Sequence, residues 1–161
     1  MYKIAVTGHR NLLDAPKVRT RLINYFTKNK AEIELVYTGM ALGFDILVAE
    51  ICLDLGIPLM GCIPFVGHTS RWSAAQKHDY DLLLAKMNQV GNCKVVVVTP
   101  GDLSEYHDVC KALFARNEFM IDRADRVLAC YDGRDTGGTK GAIAYAKKKK
   151  KVVGNILDFR I

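Results

Sequence analysis

Strand-like and helix-like patterns alternate along the whole chain, and this alternation limits the possible folds more than any other feature. Short apolar runs, such as YKIAVTG at 2–8 and CKVVVVTP at 93–100, are each followed by an amphipathic segment. Strands separated by helices pair in parallel through right-handed crossovers. We therefore expect an α/β fold of the three-layer, Rossmann-like, doubly wound type, with a mostly parallel sheet of about six strands.

The pattern also predicts how the chain is divided. The run at 93–100 is almost continuously apolar, which is typical of a strand that is covered on both faces. Loops are expected to be short, apart from TPGDLSEYH at 99–107, and no linker or repeat interrupts the sequence. Residues 1–161 are therefore expected to form a single domain.

The net charge of +6 is concentrated in five consecutive lysines, Lys147–Lys151. We interpret this run as the solvated end of the last helix, and a patch that contacts phosphate or nucleic acid is the alternative. The rest of the chain is nearly balanced in charge and its aromatic residues are scattered. These two features disfavour nucleic acid as a partner.

Three features predict the compartment. No apolar run is long enough to cross a bilayer, and MYKIAVTGHR at 1–10 is typical of a first strand rather than of a signal peptide. The five cysteines form no C-x-x-C pair, which fits reduced thiols.

The four histidines do not have metal-ligand spacing. We expect a cytoplasmic protein with no membrane partner, no metal and no cofactor.

Three of the predicted strands end in glycine-bearing loops: TGHR at 7–10, TGMALGFD at 38–45 and YDGRDTGGTKG at 131–141. Such turns occur for packing alone, but glycine also lets backbone N–H groups approach an anion. The N-terminus of a following helix adds unpaired N–H groups and partial positive charge. Because ligands of open parallel sheets bind at the carboxyl ends of the strands, we expect a phosphate there, with Arg10 and Arg134 as bidentate partners.

Other candidates lie on the predicted helices. Asp45 either complements the start of the second helix or accepts a hydrogen bond from a ribose hydroxyl or a base. Trp72, beside Arg71, either stacks on a base or covers the edge of the core. Arg116 and Asn117 are sequence neighbours that point about 100° apart on a helix, so we expect only one of them at the site.

No catalytic residue is assigned, since no loop matches the dinucleotide fingerprint or the P-loop, which disfavours hydride and phosphoryl transfer. A bulky residue at Gly39 or at Gly138 is expected to abolish binding. The candidate ligand-binding residues are Gly8, His9, Arg10, Thr38, Gly39, Gly43, Asp45, Arg71, Trp72, Asn117, Asp132, Gly133, Arg134, Gly137, Gly138 and Thr139.

The segments VTGHR, TGMALGFDILVAE, RNEFMIDRADRVLACYDG and GGTKGAIAYA resemble the SLOG superfamily, the Rossmann-like group that includes LOG and DprA/Smf proteins. The resemblance covers the chain in order and points to the small YpsA/YoqJ-type proteins of bacteria and their phages. It implies a nucleotide-derived ligand above the first, second and fifth strands. The main expectation is that the protein senses or sequesters an ADP-ribose-type signal, as a homo-oligomer.

The same superfamily implies two alternative functions. LOG proteins resemble N-glycosidases of nucleoside monophosphates (phosphoribohydrolases), whose late motif P-G-G-x-G-T-x-x-E ends in a carboxylate. Here the residue three after Thr139 is Ala142, which favours binding over cleavage. Asp45, Asp132 and Asp135 are other carboxylates, and the spacing singles out none of them. The third possibility is single-stranded DNA binding, as in DprA-type proteins.

Overall fold

The computed structural model of the protein describes residues 1–101, 103 and 105–161 and has the expected three-layer α/β architecture. The strands are Tyr2–Gly8 (β1), Ile33–Thr38 (β2), Leu59–Ile63 (β3), Cys93–Val97 (β4), Arg126–Cys130 (β5) and Val152–Asn155 (β6). The helices are Ala15–Asn29 (α1), Phe44–Leu55 (α2), Ala74–Gln89 (α3), Tyr106–Arg123 (α4) and Gly138–Lys148 (α5), with a short 3-10 helix at Lys30–Glu32. Asp102 and Ser104, from the expected loop at 99–107, lie outside the described residues.

The six strands form one sheet in the order β4-β3-β2-β1-β5-β6, and every neighbouring pair is parallel. The chain first builds outward from β1 to β4. Helix α4 then leads back across the sheet to β5, which pairs with the other side of β1. Strand order therefore reverses between β1 and β5, and open α/β sheets bind ligands in the crevice above such a point.

Local sequence signals fix where the helices begin and end. The Asp14 carboxylate accepts a hydrogen bond from the Lys17 N–H at 3.1 Å, which caps α1. Ser73 and Gln76 form a reciprocal capping box at the start of α3. Helix α2 ends at Gly56, whose φ of 66° is left-handed. These caps confirm helix boundaries that the sequence pattern places only approximately.

Two apolar layers hold the helices against the sheet. On one face, α1, α2 and α3 bury residues such as Phe26, Val48 and Met87 against β1, β2 and β3. On the other face, α4 and α5 pack against the central strands through Met120 and Ala146, among others. Among the helices of the described residues, none is long and apolar enough to cross a membrane.

The strand in 93–100 is only partly covered, although we expected it to be covered on both faces. This run forms β4 at the edge of the sheet. Val95 and Val96 pack against opposite core clusters but are only half-buried, and Val97 is 44% exposed. Helix α3 packs against it, whereas α4 packs over the more central β1 and β3. An apolar run predicts a strand but does not reveal how many helices cover it.

Candidate functional site

A cavity of about 400 Å³ lies above the carboxyl ends of the central strands, and we call it the glycine-loop cavity. Its walls come from the loops after β1, β2 and β5 and from helix α4. Nine of the sequence-predicted residues line it: Gly8, His9, Arg10, Asp45, Asn117, Arg134, Gly137, Gly138 and Thr139. The predicted residues that line neither this cavity nor the adjoining one are Thr38, Gly39, Gly43, Asp132 and Gly133.

The loop after β2, residues 39–43, is packed tightly; we call it the second-strand loop. The Thr38 hydroxyl donates to the Asp45 carbonyl at 2.9 Å, which holds the loop ends together. Gly43 has a φ of 83°, and a Cβ there would lie 2.2 Å from the Arg10 carbonyl oxygen. The Phe44 N–H donates to the His9 carbonyl at 3.2 Å, so the start of α2 is bonded to the loop after β1. Glycine at 43 is required for this close approach.

Arg116 anchors the second-strand loop from helix α4. Its side chain is buried, its Nη1 donates to the Gly39 carbonyl, and its Nε donates to Asn117 Oδ1 at 2.9 Å. A Cβ on Gly39 would lie 2.6 Å from both Arg116 Nη1 and Asp45 Oδ2. The absence of a side chain at Gly39 thus leaves room for the Arg116 guanidinium and the Asp45 carboxylate at the cavity wall.

Sequence reasoning did not include Arg116 among the site residues. Both Arg116 and Asn117 line the cavity, because the Arg116 side chain turns toward its neighbour and bonds to it. A signal was present in the sequence: Arg116 is four residues from each of Ala112 and Met120, which are buried on α4. A basic residue on the buried face of a helix indicates an internal partner, since an unpaired buried charge is costly.

Among the described residues that line the cavity, Asp45 is the one buried carboxylate. Burial raises its pKa from 3.8 to about 6, although the nearby positive charge of Arg116 opposes the shift. Its Oδ2 lies 3.5 Å from the Ala41 N–H, and its Oδ1 is buried without a hydrogen-bond partner among the described residues. This free oxygen can accept a hydrogen bond from a ligand hydroxyl or amino group.

The loop after β5, residues 131–137, is built around an ion pair; we call it the fifth-strand loop. Arg134 Nε lies 3.0 and 3.1 Å from the two Asp132 carboxylate oxygens, and these hydrogen bonds lower the pKa of Asp132 to about 2. Arg134 Nη2 also donates to the Asn11 carbonyl at 3.1 Å. Arg134 therefore ties this loop to the one after β1, instead of presenting a free guanidinium.

His9 connects the same two loops. Its ring is buried, and Nε2 lies 3.2 Å from the Asp132 N–H and 3.1 Å from Asp132 Oδ1. Burial lowers the pKa of His9, although the Asp132 carboxylate opposes this effect. Behind the loop, Gly133 has a φ of 95°, and a Cβ there would lie 2.5 Å from the Phe159 ring. Phe159, near the C-terminus, thus packs closely against the fifth-strand loop at Gly133.

The start of α5 is the most open part of the cavity wall. Gly137 has a φ of 90°, and no side chain within 1–101, 103 and 105–161 caps this helix. A Cβ on Gly138 would have only Asn117 Nδ2 within 4 Å, at 3.8 Å. Unpaired N–H groups at a helix start, next to empty space, favour an anion.

Arg10 is the exposed cation beside this helix start. It lines the glycine-loop cavity, and its guanidinium makes no hydrogen bond or ion pair with any residue that the structure describes. By contrast, the nearby cation Lys140 is paired with Asp135 outside the cavity. Arg10 is thus a cation that can reach a bound phosphate without breaking a hydrogen bond or ion pair to a described residue.

Arg71 and Trp72 line a second cavity of about 470 Å³, which adjoins the first and which we call the aromatic cavity. The two cavities share Arg10 and Arg116 as lining residues. No group of three or more His, Cys, Asp or Glu side chains within the described ranges 1–101, 103 and 105–161 is arranged to hold a metal ion.

The six-stranded parallel sheet, with glycine loops above the point where strand order reverses, defines a Rossmann-like protein. The YspA SLOG family profile matches residues 15–159, and the chain therefore belongs to that family. The resemblance drawn from the sequence motifs is confirmed.

Two relatives illustrate the family. The SPbeta prophage-derived protein YoqJ of Bacillus subtilis is 34% identical over 91 residues, which cover 53% of this chain and 50% of YoqJ. A UPF0398 protein of Staphylococcus haemolyticus is 26% identical over 161 residues, covering 87% of this chain and 78% of that protein. The match to YoqJ thus spans about half of each chain.

Two solved structures share the fold. DNA processing protein A from Helicobacter pylori, described as binding single-stranded DNA, has a TM-score of 0.72 at 20% identity and covers 99% of this chain and 66% of its own. DNA processing protein A from Streptococcus pneumoniae has a TM-score of 0.66 at 20% identity, covering 97% and 52%. This chain thus matches between half and two thirds of each neighbour.

The expectation that nucleic acid is disfavoured as a partner is contradicted by these neighbours, since a chain of the same fold binds single-stranded DNA. The expectation rested on the nearly balanced charge and on aromatic residues scattered in sequence. Folding gathers Arg10, Arg71 and Arg116 around two adjoining cavities, with Trp72 and Tyr106 beside them. Composition averaged over the chain therefore concealed a local basic and aromatic surface.

Proposed function

We propose that this protein binds single-stranded DNA at the carboxyl edge of its sheet, with one nucleotide unit in the glycine-loop cavity. The observation that carries the proposal is the uncapped start of α5 at Gly137 and Gly138, open to the cavity beside Arg10. Helix starts of this kind bind phosphate through backbone N–H groups. The likeness in fold to a DNA-binding protein supports DNA as the source of that phosphate.

The proposed arrangement gives each residue a distinct part. The phosphate accepts hydrogen bonds from the first N–H groups of α5, and Arg10 adds a charged contact. Asp45 Oδ1, which is buried on the cavity wall, accepts a hydrogen bond from a terminal sugar hydroxyl. Arg116 holds the second-strand loop through the Gly39 carbonyl and forms part of the cavity wall.

The lysine run does not carry this proposal. Residues 147–151 lie at the far end of α5, roughly 16 Å from its start by helix geometry. Two of these lysines have partners, because Lys149 pairs with Asp122 at 3.5 Å and Lys151 donates to the Ala124 carbonyl at 2.7 Å. Their contacts support the interpretation of the run as the end of the last helix.

Fluorescence anisotropy of a labelled oligothymidylate of about 20 nucleotides tests the proposal. We expect saturable binding that weakens as salt rises from 50 to about 200 mM, since phosphate contacts release counterions. A duplex of the same length should bind less tightly, because its bases are stacked inside. Absence of saturable binding at the lowest salt would overturn the proposal.

A free nucleotide-type small molecule is the second candidate, and the unpartnered Asp45 Oδ1 favours it. A buried carboxylate oxygen is suited to a ribose hydroxyl, which internal DNA nucleotides lack. The test is incubation with nucleotides and ADP-ribose derivatives, followed by mass spectrometry of what the denatured protein releases. Intact ligand indicates a binder, whereas free base and ribose phosphate indicate an N-glycosidase.

A further inference from the structure

The aromatic cavity has a feature that the proposed phosphate contacts do not use, namely a wall of packed aromatic rings. Trp72 lies 5.4 Å from His68 and 5.3 Å from Tyr80 between ring centroids, and both pairs are edge-to-face. His68 also lies 5.4 Å from Tyr80. Each ring thus fixes the others, and the half-buried Trp72 is held rigidly where it lines the cavity.

The wall is uncharged at neutral pH. Burial lowers the pKa of His68 to about 4, and its Nε2 lies 3.4 Å from the Met40 carbonyl oxygen. The neutral imidazole is thus one more aromatic surface beside Trp72. Positive charge is confined to arginines such as Arg10 and Arg71, both of which are exposed.

We propose that the aromatic cavity is a nucleobase subsite, which receives the base of a nucleotide whose phosphate lies at the start of α5. The proposal rests on the proposed function and adds how the ligand is oriented in the cleft. Its ligand class is a nucleotide unit with an unstacked base, as found in single-stranded DNA.

Continuity between the cavities is the first argument for a base as the occupant. Arg10 and Arg116 line both cavities, so one ligand can reach from the glycine loops to Trp72. Each cavity falls within the range of roughly 300–1,000 Å³ that small-molecule sites occupy. A flat aromatic group attached to a phosphate fits both the rings and the arginines.

Tyr106 is the second argument. It lines both cavities and is 79% exposed at the start of α4, an unusual degree of exposure for an aromatic side chain. Sites for single-stranded nucleic acid combine cations with aromatic side chains on which bases stack. Tyr106 and Trp72 supply such a pair beside Arg10.

Intrinsic fluorescence tests the subsite directly, because Trp72 is the only tryptophan of the chain. The probes are an oligothymidylate and a matched oligomer with the same backbone but no bases. We expect the base-bearing oligomer to quench Trp72 emission and to bind more tightly. If both oligomers bind equally and neither changes the emission, the base subsite is wrong and the proposed phosphate site survives. If neither oligomer binds, both proposals fail.

A matched pair of variants provides an independent readout. Tyr106→Ala should weaken binding of the base-bearing oligomer by roughly 5- to 100-fold, the loss expected when stacking of one base is removed. It should leave the baseless oligomer unaffected. Leu13→Ala removes a side chain that is 85% exposed outside both cavities, and should change neither affinity. Equal weakening of both oligomers by Tyr106→Ala would overturn the base subsite.

Discussion

The second-strand loop and the fifth-strand loop have similar glycine content but opposite structural roles. The second-strand loop is held at both ends by hydrogen bonds. The Thr38 hydroxyl donates to the Asp45 carbonyl, and Arg116 of α4 donates to the Gly39 carbonyl. The fifth-strand loop is bonded mainly at its base, by the ion pair of Asp132 and Arg134, and opens into an uncapped helix start. Gly39 and Gly43 permit packing of protein against protein, whereas Gly137 and Gly138 leave space for a ligand.

The difference shows that surroundings, rather than glycine itself, decide what a glycine loop does. A Cβ at position 43 would meet a backbone oxygen at 2.2 Å, whereas one at position 138 would approach a single side-chain atom at 3.8 Å. Substitution in the second-strand loop should therefore destabilise the fold. Substitution at the start of α5 should leave the fold intact and weaken binding only where the new side chain blocks or repels the phosphate.

The largest expected effect is on stability, from Gly43→Ala. The new Cβ would clash with the Arg10 carbonyl oxygen, and the φ of 83° disfavours any L-residue. Overpacking and backbone strain together should lower the free energy of unfolding by about 3 kcal/mol or more. Urea denaturation measures the loss, and Gly138→Ala is the control that should show none. Equal stability of the two variants would break the comparison.

The largest expected effect on binding comes from Gly138→Asp. The carboxylate would occupy the proposed phosphate position, so oligothymidylate affinity should fall by about 100-fold or more through repulsion and occlusion. An acidic residue in the first turn should meanwhile stabilise α5 by about 0.3–1 kcal/mol.

Anisotropy and thermal denaturation of the same preparation measure the two effects of Gly138→Asp. Gly138→Ala should retain most of the binding, since its Cβ has room. Retained binding by Gly138→Asp would place the phosphate elsewhere.

A third prediction concerns pH. Burial raises the pKa of Asp45 to about 6 from 3.8, so the folded state holds its proton more tightly than the unfolded state. The contribution of Asp45 to the free energy of unfolding is fully present below about pH 4. It is lost as pH rises toward about 6, at a cost on the order of 3 kcal/mol. Asp45→Asn should remove this dependence in urea denaturation between pH 4 and 7.

The fifth-strand loop should respond in the opposite direction. Hydrogen bonds from Arg134 lower the pKa of Asp132 to about 2, so its contribution is present above about pH 4 and is lost as pH falls toward 2. Asp132→Asn should therefore weaken the pH dependence of the free energy of unfolding only below about pH 4. If the two variants changed the same pH window, the contrast between the loops would be lost.

The smallest expected effect comes from Arg10→Ala. Because Arg10 is exposed and forms no internal contact among the described residues, the fold should be unchanged. Loss of one phosphate contact should lower oligothymidylate affinity by roughly 10-fold and reduce the salt slope by about 1. Arg19→Ala removes an exposed arginine far from the cavities, near Glu50, and should leave both quantities unchanged.

The sequence predicted the fold well because alternation of strands and helices is a local property of the chain. All six strands lie where the apolar runs indicated, and β1, β2 and β5 carry the glycine loops. It did not predict that β4 is a half-exposed edge strand, because the return of the chain from β4 to β5 is set by packing of α4 across the sheet.

The candidate site was less predictable, because it also depends on how distant elements pack together. Arg116 is distant in sequence from Gly39 and meets it only because α4 packs over β1 and β3, the strands on either side of β2. The loops after β2 and β5 both contain glycines before a helix, and the glycines alone do not distinguish a packed position from an open one. The clustering of arginines and aromatic rings at one edge likewise results from the strand order.

An amide-resolved NMR titration with a short oligothymidylate tests the central claim most directly. The account predicts that the largest shifts fall on the N–H groups at the start of α5, 137–140, and on Arg10, with only small changes in residues 39–43. Shifts concentrated instead on Lys147–Lys151, at the other end of the same helix, would contradict it. They would show that the basic run, and not the glycine-loop cavity, binds the DNA.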